Sequence, residues 1–435
     1  MADVKRKIFR LPGWPALVIA LSVLLIITAP ALAWWQMNRN PILHVPTPAL
    51  PSPNAFNYYV QAASALPYVD KYYGFYVSTP SKGSNYDPTT FPTMNPTQRA
   101  SLLALHSEVT RLFRQGTQYP CLAPPIRSFA AHRPYYAKFR NMARYYDVLS
   151  RLSAEQGDWD DAMEDSQISM RVGADISHGS DVMGALLGMG CASIGRKLAW
   201  DTVNHLSPSE ARKALAVMEQ IDAREMPFSQ TLQEEKWCGE ASLMDIFRFS
   251  NWREQFVQEV CSDETVQDKK ALRLNLVFVN KRRSLARYAA YLDRCIAMAQ
   301  GPFARRTPGD PPLPDDVICA TCAPVCEIAW FKSLQNETGN RLLTVELALR
   351  AFECERGIYP TSLAELVSAG DLHTLPGDPF AVSGTFRYAR RGTQYVLYSL
   401  GPDGINDGGT PIKETTENRM TKDSKGDIVA GVNRF

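Results

Sequence analysis

Residues 340–409 read NRLLTVELALRAFECERGIYPTSLAELVSAGDLHTLPGDPFAVSGTFRYARRGTQYVLYSLGPDGINDGG. Leu342, Val345, Leu349 and Phe352 fall at 3-4-3 spacing, the apolar stripe of an amphipathic helix over 340–355. Gly357 suits the left-handed residue that ends such a helix, and Pro360 bars continuation. Ser362 and Glu365 have the spacing of a capping box for a short second helix, ending at Gly370 and burying Leu363, Leu366 and Val367. Phe386 and Tyr388 then alternate with Arg387, and Arg391-Gly392 supplies a turn. Tyr395, Leu397 and Ser399 alternate with Val396, Tyr398 and Leu400. That pattern predicts an antiparallel hairpin whose aromatics lie on the long helix.

Three motifs follow one another here: Tyr359-Pro360-x-Ser362-Leu363-x-Glu365-Leu366, Leu375-Pro376-x-Asp378-Pro379-Phe380, and Tyr395-Val396-Leu397-Tyr398-Ser399-Leu400-Gly401-Pro402-Asp403-Gly404. In this order they resemble the head of the G-type major pseudopilin of type II secretion. The resemblance implies a small α+β module that packs and catalyses nothing. It also implies calcium, bound in the loop after the last strand through carboxylates and backbone carbonyls. Carried over by position, Asp403 matches the first family aspartate and the carbonyl of Leu400 a backbone ligand. The family's closing Asp-Ile ending is best matched by Gly426-Asp427-Ile428, which makes Asp427 the next ligand, with Asp407 and Asp423 within reach. Calcium takes 6–8 oxygens in a flexible cage, and an Asp/Asn/Gly-rich loop can supply them. Residues 410–425 lengthen this loop beyond the family pattern and add Lys413, Arg419, Lys422 and Lys425. Asp-Gly pairs are also ordinary turn formers.

The N-terminus carries a membrane signal. Lys5, Arg6, Lys7 and Arg10 precede an uncharged run over 11–38, with Trp34 and Trp35 where an interfacial aromatic belt would sit. Positive charge before the span keeps the N-terminus cytoplasmic and the bulk extracytoplasmic, on the periplasmic side of an inner membrane. Two readings compete. The run is long enough for a single-pass anchor. Alternatively, Ala31-Leu32-Ala33 is a signal-peptidase site, which Pro30 suits, and the chain is secreted after cleavage at Ala33. The run lacks the Gly-aromatic-Thr-Leu-x-Glu processing site of a prepilin, which argues against a filament subunit.

The 435 residues, with 45% hydrophobic and 21% charged, suit two or three globular domains. A net charge of +2 points to no nucleic-acid partner. Proline-rich stretches at 39–54 and 301–318 read as linkers. They divide the chain into a membrane helix or signal (1–38), a helical domain (55–300) and the pseudopilin-like domain (319–435), a mainly α chain overall. In the helical part, Leu102, Leu105, Val109 and Leu112 keep helical spacing, as do Phe139, Met142, Tyr146, Leu149 and Leu152. Gly157 and a capping Asp158 predict a tight hairpin into the next helix. Its junction, with Ala154 and Ala162 packed close and Trp159 filling the gap, resembles a tetratricopeptide hairpin, without a clean 34-residue period. Ser207, Pro208 and Glu210 predict a capping box. A long helix is expected over 270–300, with Lys281-Arg282-Arg283 as a solvated face.

Nine cysteines include Cys319-x-x-Cys322-x-x-x-Cys326, which would suit a metal if a fourth ligand were near. A disulfide, with Cys354 as a further partner, is the simpler expectation in an oxidising compartment. The six histidines form no two-ligand helical spacing. Asp158, Asp160, Asp161, Glu164 and Asp165 suit a helix N-terminus without catalysis. No phosphate loop, nucleophile elbow or dinucleotide fingerprint occurs, so no catalytic residue and no small-molecule substrate are assigned. The sequence thus predicts a tethered scaffold with protein partners and a calcium-binding head. The alternatives are an extracytoplasmic enzyme or redox protein, with its site in the helical domain or at the cysteine cluster, and an atypical unprocessed pseudopilin.

Overall fold

The computed structural model describes residues 13–66, 96–260, 266–303, 309–413 and 420–434. The basic residues Lys5, Arg6, Lys7 and Arg10 lie outside the described residues, as does Cys261. The chain is mainly helical. In order it forms α1 (Trp14–Asn38), α2 (Ala55–Ala65), α3 (Pro96–Gly116), α4 (Tyr135–Gln156), α5 (Trp159–Ser177), α6 (Val182–Thr202), α7 (Pro208–Asp222), α8 (Phe228–Arg248), α9 (Trp252–Val260), α10 (Val266–Val277), α11 (Lys281–Ala299), α12 (Val317–Cys322), α13 (Cys326–Arg356) and α14 (Ala364–Ser368). A three-stranded antiparallel sheet follows, ordered β1 (Arg387–Arg391), β2 (Gln394–Ser399), β3 (Ile428–Val429).

Two compact units result. The first comprises Met1–His44, Glu240–Ala290 and Leu313–Ala323; the second comprises Val45–Gly239, Tyr291–Pro312 and Pro324–Phe435. The second unit therefore groups the helices after Val45 with the C-terminal sheet, a division that differs from a linear split at the 301–318 linker.

In the first unit, Leu17–Asn38 of α1 has a mean hydropathy of 2.5 and none of it is buried, so it is long and apolar enough to cross a membrane. The single helix expected over 270–300 is two helices. The break follows Phe278, where Asn280 Oδ1 accepts the Arg283 N–H (3.1 Å) and starts α11 afresh. Lys281 is buried rather than solvated. Its Nζ donates to the Phe247 carbonyl (2.6 Å) and to Asn40 Oδ1 (2.8 Å). Arg282 and Arg283 are exposed.

In the second unit, Gly157 takes the left-handed conformation (φ 80°) that ends α4, as its sequence position predicts. Asp158 occupies the N-cap position of α5, but its side chain makes no capping bond. Trp159 does not plug the α4–α5 gap; it stacks on His205, 3.8 Å between centroids. The Ser207–Glu210 capping box is present with Pro208 in the first turn of α7. The closest helix packing is between α5 and α6, where glycines let backbones touch. A Cβ on Gly173 would lie 2.3 Å from the Gly188 carbonyl oxygen, and one on Gly195 would lie 2.3 Å from the Ser166 carbonyl oxygen.

The long C-terminal helix starts earlier than expected. Its stretch is apolar enough to pass the same membrane test over Val317–Arg356, but α13 is a core helix. Leu342, Val345, Leu349 and Phe352 are buried as predicted, and so are Leu343, Leu347, Ala348 and Ala351. The stripe is wider because α13 packs on α6, α7, α14 and β2. Arg196 of α6 lies buried across it, and Gly339 makes the room: a Cβ there would sit 2.6 Å from Arg196 Nε. Arg196 Nη1 donates to Asn340 Oδ1 (2.7 Å) and Asn336 Oδ1 (2.9 Å).

The C-terminal turns fit the expected order with two corrections. Ser362 does not cap α14. The helix begins at Ala364, and Glu365 instead accepts the Thr361 N–H (3.0 Å). Val367 is exposed, because so short a helix buries only its Leu363–Leu366 side. The hairpin pairs Arg391 with Gln394, and Gly392 (φ 65°) serves the turn. Its aromatics reach α13 as expected: Tyr395 Oη donates to Glu346 Oε1 (2.5 Å).

Two outcomes follow from this packing. Gly173→Ala forces a side chain into a backbone carbonyl and should destabilise the protein by about 1–3 kcal/mol in denaturant unfolding. Glu346 is half-buried with its Oε2 out of reach of water, and desolvation pushes its carboxyl up to about 7. A raised folded-state value stabilises below the ordinary carboxylate range and is lost as pH rises through about 7. Glu346→Gln should therefore flatten part of the fall in melting temperature over that range. An unchanged pH profile would contradict the assignment.

Candidate functional site

The loop after β2 is held by two buried aspartates. At its start, the Ser399 hydroxyl and the Phe380 N–H donate to Asp378 Oδ1 (2.7 and 3.0 Å), and the Leu400 N–H donates to Oδ2 (2.9 Å). Burial pushes the Asp378 carboxyl up, and these donors pull it back. Asp378 stands in the second sequence motif, but spacing alone gave it no role.

At the other end, Asp427 is buried beside β3. Its Oδ2 accepts the N–H groups of Gly409 (2.7 Å) and Asp407 (3.1 Å). Its backbone pairs with Thr410 and Ile412 (2.9 and 3.0 Å). Oδ1 is buried without a hydrogen-bond partner. Burial pushes its carboxyl up, and the charges of Asp407 and Asp403 add to that rise against the backbone donors. Gly401 must be glycine: its φ is 69°, and a Cβ would lie 2.4 Å from the Gly426 carbonyl oxygen.

The expected calcium set is thus placed unevenly. Leu400, Asp403, Asp407 and Asp427 belong to one closed loop. Asp403 Oδ1 accepts the Ile405 N–H (3.0 Å). Asp423 is exposed and pairs with Lys422 (3.3 Å), which also binds Glu327 (3.1 Å). Among the described residues, no three His, Cys, Asp or Glu side chains come together to hold a metal ion.

The cysteine cluster is divided between the units. Cys319 and Cys322 belong to the first unit and Cys326 to the second. Cys319 donates to the Ser284 carbonyl (3.2 Å), whereas Cys326 donates to the Pro324 carbonyl (3.6 Å). Cys354 turns to Glu353 (3.6 Å). Among the described residues no disulfide forms, which corrects the expectation of one.

Three residues of the acidic cluster at the start of α5 form ion pairs. Asp160 binds Lys213 (2.8 Å), Glu164 binds Arg114 and Lys213, and Asp165 binds His106 (3.4 Å). The pairs of Asp160 and Glu164 with Lys213 and Arg114 rim a cleft of about 310 Å³ among α3, α5 and α7. Its floor is apolar, with Phe113, Met163, Ile168 and Val217. Deeper in, Asp175 is fully buried and holds Arg171 (3.0 Å), Arg224 (3.3 Å) and the Tyr59 hydroxyl (2.5 Å). Burial pushes the Tyr59 hydroxyl upward, so it is a fixed donor and no base. The cleft offers apolar area and paired charge, chemistry suited to contact. The sequence signal for it was the acidic run on α5; the basic partners came from helices far away in the chain.

No protein-family model, curated protein or solved structure matches this chain.

Replacing Asp427 by Ala strands two backbone N–H groups. It should cost about 2–3 kcal/mol of stability in denaturant unfolding, whereas Asp423→Ala, at an exposed ion pair, should change it by less than about 1 kcal/mol. Equal effects would sink the assignment of Asp427 as the loop's closing group.

Proposed function

We propose that the chain is a single-pass, membrane-tethered, extracytoplasmic interaction protein with no catalytic role. Its helices present the α3–α5–α7 cleft to a protein partner, and its C-terminal sheet serves as a rigid, pseudopilin-like contact module. The observation that carries this reading is α1. Its apolar stretch Leu17–Asn38 is wholly unburied by the rest of the chain, at a length that matches a bilayer core of about 30 Å. The cleft supports the interaction half, since its charged groups are paired with one another around an apolar floor. The motif order of residues 359–404 supports the resemblance to a type II secretion pseudopilin.

A second reading adds calcium to the module. The observation that favours it is Asp427 Oδ1, a buried carboxylate oxygen without a partner, with Asp403 and Asp407 near enough to raise its proton affinity. Asp427, Asp403 and the Leu400 carbonyl would hold the ion, which would neutralise the gathered charge.

Topology tests the first reading. Alkaline phosphatase fused after Phe435 should be active in cells, and green fluorescent protein fused there should be dark. The reverse pattern would refute the extracytoplasmic placement. Calorimetric titration of the purified protein with calcium tests the second. Binding that Asp427→Asn abolishes supports it, and absence of heat with an unchanged melting temperature in chelator excludes it.

A further inference from the structure

The first unit gathers four helix ends at the end of α1. Arg253 on α9 lies over the Trp34 ring (5.2 Å) and donates to Asn38 Oδ1 (2.8 Å) and to the Leu276 carbonyl (2.9 Å) at the end of α10. Lys281, opening α11, binds Asn40 and the Phe247 carbonyl near the end of α8. Phe247 and Trp252 are buried and stack edge to face beneath these cations (5.1 Å). The α8–α9 and α10–α11 corners are therefore fastened at the level of Trp34 to Asn40.

The side chains at those corners point outward. Phe278 is 79% exposed, Leu274 68% and Phe249 52%. Phe278 lies two residues from Leu276, and Phe249 two residues from Phe247, so each backbone is within about 8 Å of the fastening bonds. Leu274 and Phe278 are one helical turn apart in sequence. Exposed Arg282 and Arg283 follow directly. Large exposed apolar side chains grouped in this way mark an interaction surface. A span of 22 residues rises about 33 Å, which places Trp34 and Asn38 at the lipid–water boundary when α1 crosses the bilayer.

We propose that Phe249, Leu274 and Phe278 insert into the outer headgroup layer of the bilayer that α1 crosses, with Arg282 and Arg283 on its phosphates. This second membrane contact rests on the reading of α1 as an anchor. It fixes the first unit against the membrane surface, whereas one helix alone leaves it free to swivel. Apolar side chains beside cations are the composition by which helices lie in an interface.

The test uses full-length protein in nanodiscs of equal parts phosphatidylcholine and phosphatidylglycerol. A photoreactive p-benzoylphenylalanine is placed singly at positions 26, 249 and 278, and adducts are identified by mass spectrometry. Lipid adducts are expected at all three. In Phe249→Ser/Leu274→Ser protein, the adduct at 278 should fall several-fold while the melting temperature in detergent holds, because these side chains are exposed. Lipid adducts at 26 alone would overturn the proposal and leave the anchor standing. Adducts at none of the three would overturn both. Adducts to a second copy of the chain at 278, in place of lipid, would make this face a contact between copies and overturn the proposal.

Discussion

One helix carries two cores in the second unit. α13 offers Leu343, Val345, Leu347 and Leu349 around most of its circumference, and it packs on α6, α7, α14 and β2. Burial on so many sides leaves only a narrow part of its circumference to water. The polar residues that do occur must therefore be matched from within. Asn336 and Asn340 take Arg196 on one side and Glu225 on the other, with Asn340 Nδ2 donating to Glu225 (2.6 Å). Burial, then the charges of Glu337 and Asp222, pushes the Glu225 carboxyl up to about 8, and burial lowers Arg196 to about 10. Glu346 repeats the arrangement toward β2 through Tyr395.

These insertions fix register. An apolar helix can slide against apolar neighbours at small cost. A helix carrying Arg196 over Gly339 and Tyr395 on Glu346 has one position in which its buried polar groups are met. Ion pairs from the surface reinforce that position: Arg212 binds Glu355 (2.8 Å), and Arg341 binds Asp222 (2.9 Å). The loop after β2 inherits this rigidity, since Asp378 and Asp427 tie its two ends to the sheet whose β2 packs on α13.

Much of the C-terminal architecture was legible in the sequence. Helical spacing, Gly357 and alternation around Gly392 are local signals, and local geometry obeyed them. What escaped was set by distant residues. Ser362 fits a capping box on paper, yet the helix begins two residues later because Glu365 finds Thr361. Lys281 heads a basic triplet, yet the Phe247 carbonyl and the Asn40 side chain provide it with acceptors. The Gly173–Gly188 contact was invisible, because glycines in a helix read as weak points until the facing helix is known. The acidic run on α5 was seen, but not its partners Arg114 and Lys213. Of the five calcium candidates, four share the loop. Asp423 stands apart, exposed and paired with Lys422, which also binds Glu327.

If α13 is the common spine, the sheet and the helices must lose it together. Native-state hydrogen exchange of the full-length protein measures this most directly. Amides of α13 from Leu342 to Leu349, of β2 and of α6 should open with one shared free energy, equal to that of global unfolding. Exchange of β2 at a markedly lower free energy, with α6 still protected, would show two separate cores and contradict the account.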